Sequence, residues 1–214
     1  MSGFDAYDAV VLAGGRSARL GGVPKALLEF EGRTLLERTL EALAGARRIA
    51  VVGPPELAPI LAGPGTRILL TREDPPFAGP AAGIAAGVAA LAAPDAAADG
   101  GGRAPLTLLF ACDMPRLADL PQRLLAAAGS HPSAGLWVPV DAGGREQPLA
   151  SCARSGELEA AVAAAGGPAG AAGMSVRKLL APLHAAPVPL PAGATADVDT
   201  WEDAGRFGIA RPAP

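Results

Sequence analysis

Apolar residues along this chain occur in short runs divided by polar and glycine-rich segments, and the runs follow two rhythms. Tyr7 to Ala13, Ile49 to Val52, Thr66 to Thr71 and Leu106 to Ala111 are short and mostly apolar, the pattern of strands buried on both faces of a sheet. Between them the spacing turns helical. Leu36, Leu40 and Leu43 follow Thr34-Leu-Leu-Glu37, a capping box that opens a helix with one face toward the sheet. Helical segments are also predicted up to Leu61, from Gly79-Pro80 to Leu91, and over Leu117–Ala128, Glu157–Ala165 and Met174–Ala181. Thr200 caps a last helix in the pattern Thr-x-x-Asp203. Strands alternating with helices call for parallel pairing with right-handed crossovers.

Other segments break the alternation. Leu136–Val140 and Pro148–Ala153 read as two strands around the turn Asp141-Ala-Gly-Gly-Arg145, a small antiparallel edge or flap beside the main sheet, and Pro187–Leu190 reads as an edge strand. Gly166 to Gly173 reads as a glycine-rich linker. Ala92 to Ala104 holds almost no bulky side chain and is expected to be a flexible surface insertion. The fold class expected is α/β: one three-layer α/β/α domain over residues 1–214 with a mostly parallel central sheet.

Composition narrows the classes. Half the residues are hydrophobic but only 4% are aromatic, so the core must be built from Ala, Leu, Val and Ile. The formal charge of −3 provides no basic field for nucleic acid, and any anion must be held by a local site. With 28 glycines and 22 prolines the chain nears the range where disorder competes, but the periodic apolar segments favour a folded domain with loops. The two cysteines, Cys112 and Cys152, make no disulfide framework or metal-type spacing and are read as buried free thiols. The first residues have neither the basic start nor the apolar core of a signal peptide, and no apolar run is long enough to span a bilayer, so a cytoplasmic protein is expected.

The chemistry concentrates after the first strand. Leu12-Ala-Gly-Gly-Arg-Ser-Ala-Arg-Leu-Gly-Gly-Val-Pro-Lys25 joins four glycines to three cations, Arg16, Arg19 and Lys25. Glycines let backbone amides approach and point at a ligand, and the cations surround that point with positive charge, so the segment reads as a polyphosphate site. Neither G-x-x-x-x-G-K-[ST] nor G-x-G-x-x-G occurs in the chain. Asp113, just past the strand Leu106–Ala111, faces the same crevice if both strands belong to one parallel sheet. It is either a hard oxygen ligand for magnesium or the cap of the following helix.

The stretch LAGGRSARLGGVPKALLEFEGRTLLER resembles the signature of nucleotidyltransferases that activate sugars and cofactors, most closely the molybdenum cofactor guanylyltransferases. The resemblance continues in order through GPAAGI at Gly79–Ile84, ACDMP at Ala111–Pro115, EQPLA at Glu146–Ala150 and DVDTWED at Asp197–Asp203. It implies a Rossmann-like fold and transfer of GMP from GTP to the terminal phosphate of molybdopterin, with Mg²⁺ as cofactor. It further implies that Lys25 and Arg16 contact the triphosphate, that Leu12, Ala13, Gly14 and Gly15 line the nucleotide, that Gly79 borders base and ribose, and that Asp113 holds the metal. Asp74 matches an acidic residue near the nucleotide, and a turn-initiating Asp before Pro75 explains it equally well. Asp197 and Asp199 alternate on an extended segment and so share a face. Asp199 is a candidate second metal ligand, with solvated acids as the alternative.

Arg145 and Gln147 are candidates for the acceptor pocket, and Arg19 faces either the acceptor or solvent. His131 and His184 receive no ligand role. One departure stands out: the family's Asn after the second strand is Gly53 here. Other readings are a molybdopterin cytidylyltransferase, a sugar-phosphate nucleotidyltransferase, or a nucleotide-binding chaperone for molybdoenzyme maturation. Partners beyond the substrates would be molybdoenzymes or proteins of cofactor biosynthesis, with neither nucleic acid nor membrane.

Overall fold

In a computed structural model the described residues are 6–61, 67–93, 103–191 and 194–211. Nine strands are named in chain order: β1 (Tyr7–Leu12), β2 (Glu29–Phe30), β3 (Arg33–Thr34), β4 (Arg48–Val52), β5 (Arg67–Thr71), β6 (Leu106–Ala111), β7 (Leu136–Val140), β8 (Ala150–Arg154) and β9 (Ala185–Pro189). The helices are α1 (Leu35–Ala42), α2 (Ala58–Leu61), α3 (Pro80–Ala92), α4 (Leu120–Ser130), α5 (Ser155–Ala164), α6 (Gly167–Gly170), α7 (Val176–Leu180) and α8 (Trp201–Arg206). Thr66 and residues 94–102, within the predicted third strand and insertion, lie outside the described residues.

Seven strands form one sheet in the order β5-β4-β1-β6-β8-β7-β9. The first four run parallel, so β1 and β6 deliver their carboxyl ends side by side, with Leu12 opposite Ala111. β8 is antiparallel to both β6 and β7, and β9 runs parallel to β7 at the far edge. The antiparallel strands expected beside the main sheet are thus part of it, and β9 takes the edge.

Alternation along the strands sorts the core into two layers. Ala9 and Val11 of β1 join Leu36 of α1, Leu43 just past its end, and Leu120 and Leu124 of α4 on one face. Val10 joins Ile84 and Val88 of α3 and Leu158 and Val162 of α5 on the other, completing an α/β/α sandwich. Asp8, also on β1, is buried but paired, with Arg48 Nη2 2.8 Å from its Oδ2. A buried acidic side chain is tolerated there because Arg48 is buried beside it as its partner.

Local chemistry sets the boundaries. The capping box at α1 is formed: the Glu37 N–H donates to Thr34 Oγ1 at 3.2 Å, and the Thr34 N–H donates to Glu37 Oε2 at 2.8 Å. Glu31 and Gly32, both with positive φ, make the two-residue turn of the β2–β3 hairpin. The predicted linker at Gly166–Gly173 contains α6, and the Gly173 N–H donates to Ala78 O at 2.8 Å, fastening this segment below the start of α3. Helix α4 begins at Leu120, three residues later than its apolar spacing indicated, because Leu117 is buried in the preceding turn.

A third, smaller cluster has a different task. Leu20, Leu28, Phe30, Leu35, Val198, Ala204 and Ile209 pack together outside the two main layers. They join the segment after β1 to the segment before α8, which are far apart in the chain.

Helix α3 packs tightly on the sheet at Gly83, which faces Leu12 and Val52, and at Gly87, which faces Val10 and Val52. A Cβ on Gly87 would lie 2.5 Å from Val10 Cγ1 and 3.2 Å from Val52 Cγ2, and these β-branched side chains cannot swing away. Removing glycine from a helix gains about 1 kcal/mol, but overpacking costs about 1–3 kcal/mol, so Gly87→Ala should be net destabilising. Gly129 in α4 meets nothing within 4 Å, and Gly129→Ala should stabilise by up to about 1 kcal/mol. Urea unfolding checks both: the midpoint should fall for Gly87→Ala and rise for Gly129→Ala, with unchanged slope.

Candidate active site

The ladder continues beyond the strand ends and shapes the loop after β1. The Ala13 N–H donates to Val52 O at 2.8 Å and the Cys112 N–H to Leu12 O at 3.1 Å, so the chain is held between β4 and β6 until Gly14. Gly14 then packs edge-on, with room for a Cβ only 3.7 Å from Gly53 Cα, and Gly15 takes φ +146°. A short 3₁₀ turn, Ala18–Leu20, closes on Gly21 and Gly22, and Leu20 plugs into the third cluster as its anchor. Pro24 leads into a second 3₁₀ turn, Lys25–Leu27, whose Ala26 is buried in the main core. Lys25 is therefore fixed at its base while its amine reaches into the crevice.

Asp113 arrives from the other side. It follows β6 directly, and its carbonyl accepts the Val198 N–H at 2.9 Å. Val198 is fully buried in the third cluster, so its neighbours Asp197 and Asp199 turn the opposite way. Asp113, Asp197 and Asp199 can bring one carboxylate oxygen each within 4.8 Å of one another. Lys25 Nζ lies 3.0 Å from Asp113 Oδ2 and also contacts Asp199 Oδ1. Arg19 Nη1 is 3.7 Å from Asp199 Oδ2.

The electrostatics follow from this packing. Burial alone pulls the Lys25 amine toward neutrality, but Asp113 and Asp199 outweigh it and hold its pKa above the ordinary lysine value. Asp197 is pushed above the usual carboxylate range, first by desolvation and then by repulsion from Asp113 and Asp199. The Cys112 thiol beside them is raised, chiefly by burial and further by Asp113, and remains protonated. Three carboxylates thus crowd one corner, and the single Lys25 amine offsets part of their charge.

A cleft of about 570 Å³ opens in front of this corner, a size suited to a small-molecule ligand. It brings together most of the residues predicted from the sequence: Leu12 to Arg16, Arg19, Lys25, Gly79, Asp113 and Asp199 all line it. Gly79, with φ +101°, ends the loop before α3 and presents that helix's first turn to the space.

Three of the expected site residues lie outside this lining. Asp74 is exposed and absent from the lining, whereas its neighbours Arg72 and Glu73 are present. The carboxylate turned inward is Glu73, whose Oε1 accepts the Phe77 N–H at 2.9 Å. Arg145 and Gln147 also miss the cleft. Their loop is folded on Asp141, which accepts the Arg145 N–H at 2.9 Å and lies 3.4 Å from Gln147 Nε2, and only Leu149 of that hairpin lines the space.

Phe77 escaped the sequence reading, and Gly53 entered it only as a departure from the family pattern. Phe77 is 46% exposed, and both Arg16 and Arg72 place their guanidinium carbons 5.3 Å from its ring centroid. A lone aromatic between two prolines and an alanine carries no periodic signal, but an apolar ring in a polar turn was the available hint. Gly53 lines the cleft floor, where a Cβ would meet Leu57 Cδ1 at 2.7 Å.

Comparison with known proteins agrees with this geometry. The family described as the MobA-like NTP transferase domain matches residues 9–187. A molybdenum cofactor guanylyltransferase of Shewanella sp. (strain ANA-3) is 34% identical over 143 residues, 66% of this chain and 66% of that protein. A probable molybdenum cofactor guanylyltransferase of Methanosarcina acetivorans is 69% identical over 36 residues, 17% of this chain and 16% of its own. The aligned stretch thus spans less than two thirds of either relative. The solved molybdopterin-guanine dinucleotide biosynthesis protein A of Archaeoglobus fulgidus shares the fold, with TM-score 0.63 at 19% identity over 94% of this chain and 96% of that one. The chain belongs to the MobA-like NTP transferase domain family.

Proposed function

We propose that the protein transfers GMP from GTP to the terminal phosphate of molybdopterin and releases pyrophosphate. The observation that carries this reading is the meeting of Lys25 with Asp113 and Asp199 in the cleft that the glycine loop also lines. Family membership and the guanylyltransferase names of its relatives point the same way.

In the proposed reaction an oxygen of the acceptor phosphate bonds to the α-phosphorus of GTP as the bond to the β-phosphate oxygen breaks. Such transfer needs positioning and charge neutralisation more than a covalent nucleophile. The amides around Gly14 and Gly15, with Arg16, hold the outgoing phosphates. Lys25 shares its charge between the acids and the α-phosphate, where negative charge builds up as the bonds exchange.

The chemistry of the acidic corner fits a magnesium ion. Asp113, Asp199 and Asp197 offer hard oxygens within 4.8 Å of one another, and such cations prefer oxygen ligands shared with substrate phosphates. When bound, the ion supplies Lewis acidity to phosphate oxygens. Consumption of GTP suits the cytoplasmic setting expected from the sequence.

Asp113→Asn and Lys25→Ala should each lower turnover about a hundredfold or more, the usual effect of losing one preorganised electrostatic group. Pyrophosphate release with GTP and molybdopterin measures this, and circular dichroism establishes that the variants are folded. Near-normal turnover in folded Asp113→Asn would remove that residue from the mechanism. GTP binding without pyrophosphate release by the unaltered protein would favour a nucleotide-binding chaperone instead.

Asp197 yields a second prediction. Its carboxyl pKa is raised in the folded state, so ionising it costs stability as pH rises from the ordinary carboxylate range through its folded value. Asp197→Asn should therefore raise the melting temperature of metal-free protein at neutral pH while shifting the magnesium requirement for turnover to higher concentration. An unchanged or lower melting temperature would show that neither desolvation nor the neighbouring acids penalise its ionised form.

A further inference from the structure

We infer that Arg72 reads the base of the nucleotide and selects guanine. This inference rests on the guanylyl-transfer reading and names the group that sets its specificity.

The sheet order provides a ruler. From β6, which carries Asp113, the order runs through β1 and β4 to β5, which delivers Arg72. Three strand spacings of about 4.8 Å put the two strands about 14 Å apart, on the scale of an extended nucleotide. With the phosphates at Gly14, Arg16, Lys25 and Asp113, the base falls toward the ends of β4 and β5.

That wall offers little to read a base with. Gly53, Pro54, Gly79, Pro80 and Gly83 have no side-chain hydrogen-bonding group. Among the described residues of this wall, Arg72 and Glu73 do, and Glu73 already holds the Phe77 amide with Oε1. Arg72 lies over the Phe77 ring at 5.3 Å. A guanidinium packed against an aromatic keeps its face covered while its in-plane N–H groups stay available.

Those donors match one base. Guanine presents O6 and N7 as adjacent acceptors, which a guanidinium engages as a pair. Adenine sets an amino donor beside N7, and cytosine sets one at C4, and both would confront the N–H groups of Arg72 donor to donor. Gly53, past the end of β4, offers no side chain to a base, and Arg72 supplies one from the adjacent strand β5.

Equilibrium titration with GTP, 7-deaza-GTP, ATP and CTP tests this in the wild-type protein, Arg72→Ala and Arg72→Gln. Arg72 is exposed, so both variants should fold. Loss of N7 should weaken wild-type binding about tenfold, within the range for half to all of a bidentate contact. Arg72→Ala should bind GTP about tenfold more weakly and no longer distinguish it from 7-deaza-GTP. If Arg72→Ala keeps the wild-type ratio of GTP to 7-deaza-GTP, or weakens GTP, ATP and CTP by one common factor, Arg72 is a phosphate contact and the inference fails alone. If wild-type protein prefers CTP, the guanylyl reading fails and this inference with it.

Discussion

The small apolar cluster beside the main core is the constraint on which the site depends. Leu20 lies within the glycine loop, Leu28 follows Lys25, Leu35 opens α1, and Val198 stands between Asp197 and Asp199. Burying these four side chains together brings cationic loop and acidic segment to opposite sides of one gap. Each fully buried aliphatic side chain contributes about 1.5–3 kcal/mol, whereas ion pairs as open as Arg19–Asp199 contribute little on their own. Apolar packing therefore assembles the charges, and the charges then set the chemistry. The backbone bond from Val198 to Asp113 supplies the register between the two segments.

This arrangement makes the acidic corner serviceable. Three carboxylates so close would repel one another strongly, and Lys25 relieves Asp113 and Asp199 directly. Asp197 keeps a raised pKa, first from desolvation and then from the two neighbouring acids, which the more distant pull of Lys25 does not offset. In the proposed reaction such a site would receive phosphate oxygens together with a divalent cation, since both sets of charge then find partners. Catalysis by positioning needs such preorganisation before substrate binds.

Much of this was legible in the sequence. The buried strands, the capping boxes at Thr34 and Thr200, and the loop from Leu12 to Lys25 each carry a local signal, periodic or chemical, and each is formed. Asp113 could be located because it follows a strand, and strand ends share an edge of a parallel sheet. What escaped was side-chain direction in turns. Nothing in Arg72-Glu73-Asp74 says which residue faces inward until the chain has folded back on Phe77. Arg145 and Gln147 lie outside the cleft for a related reason, since a short-range turn on Asp141 competes with the cleft for their polar groups. The third cluster was invisible as such, because its members lie at both ends of the chain.

A crystal structure with GTP and magnesium bound tests the central claim most directly. The account predicts a triphosphate lying between the amides of Gly14 and Gly15 and the Lys25 amine, with a metal ion touching Asp113 and Asp199. A nucleotide whose phosphates sit away from Lys25, with no ion at Asp113, would contradict it.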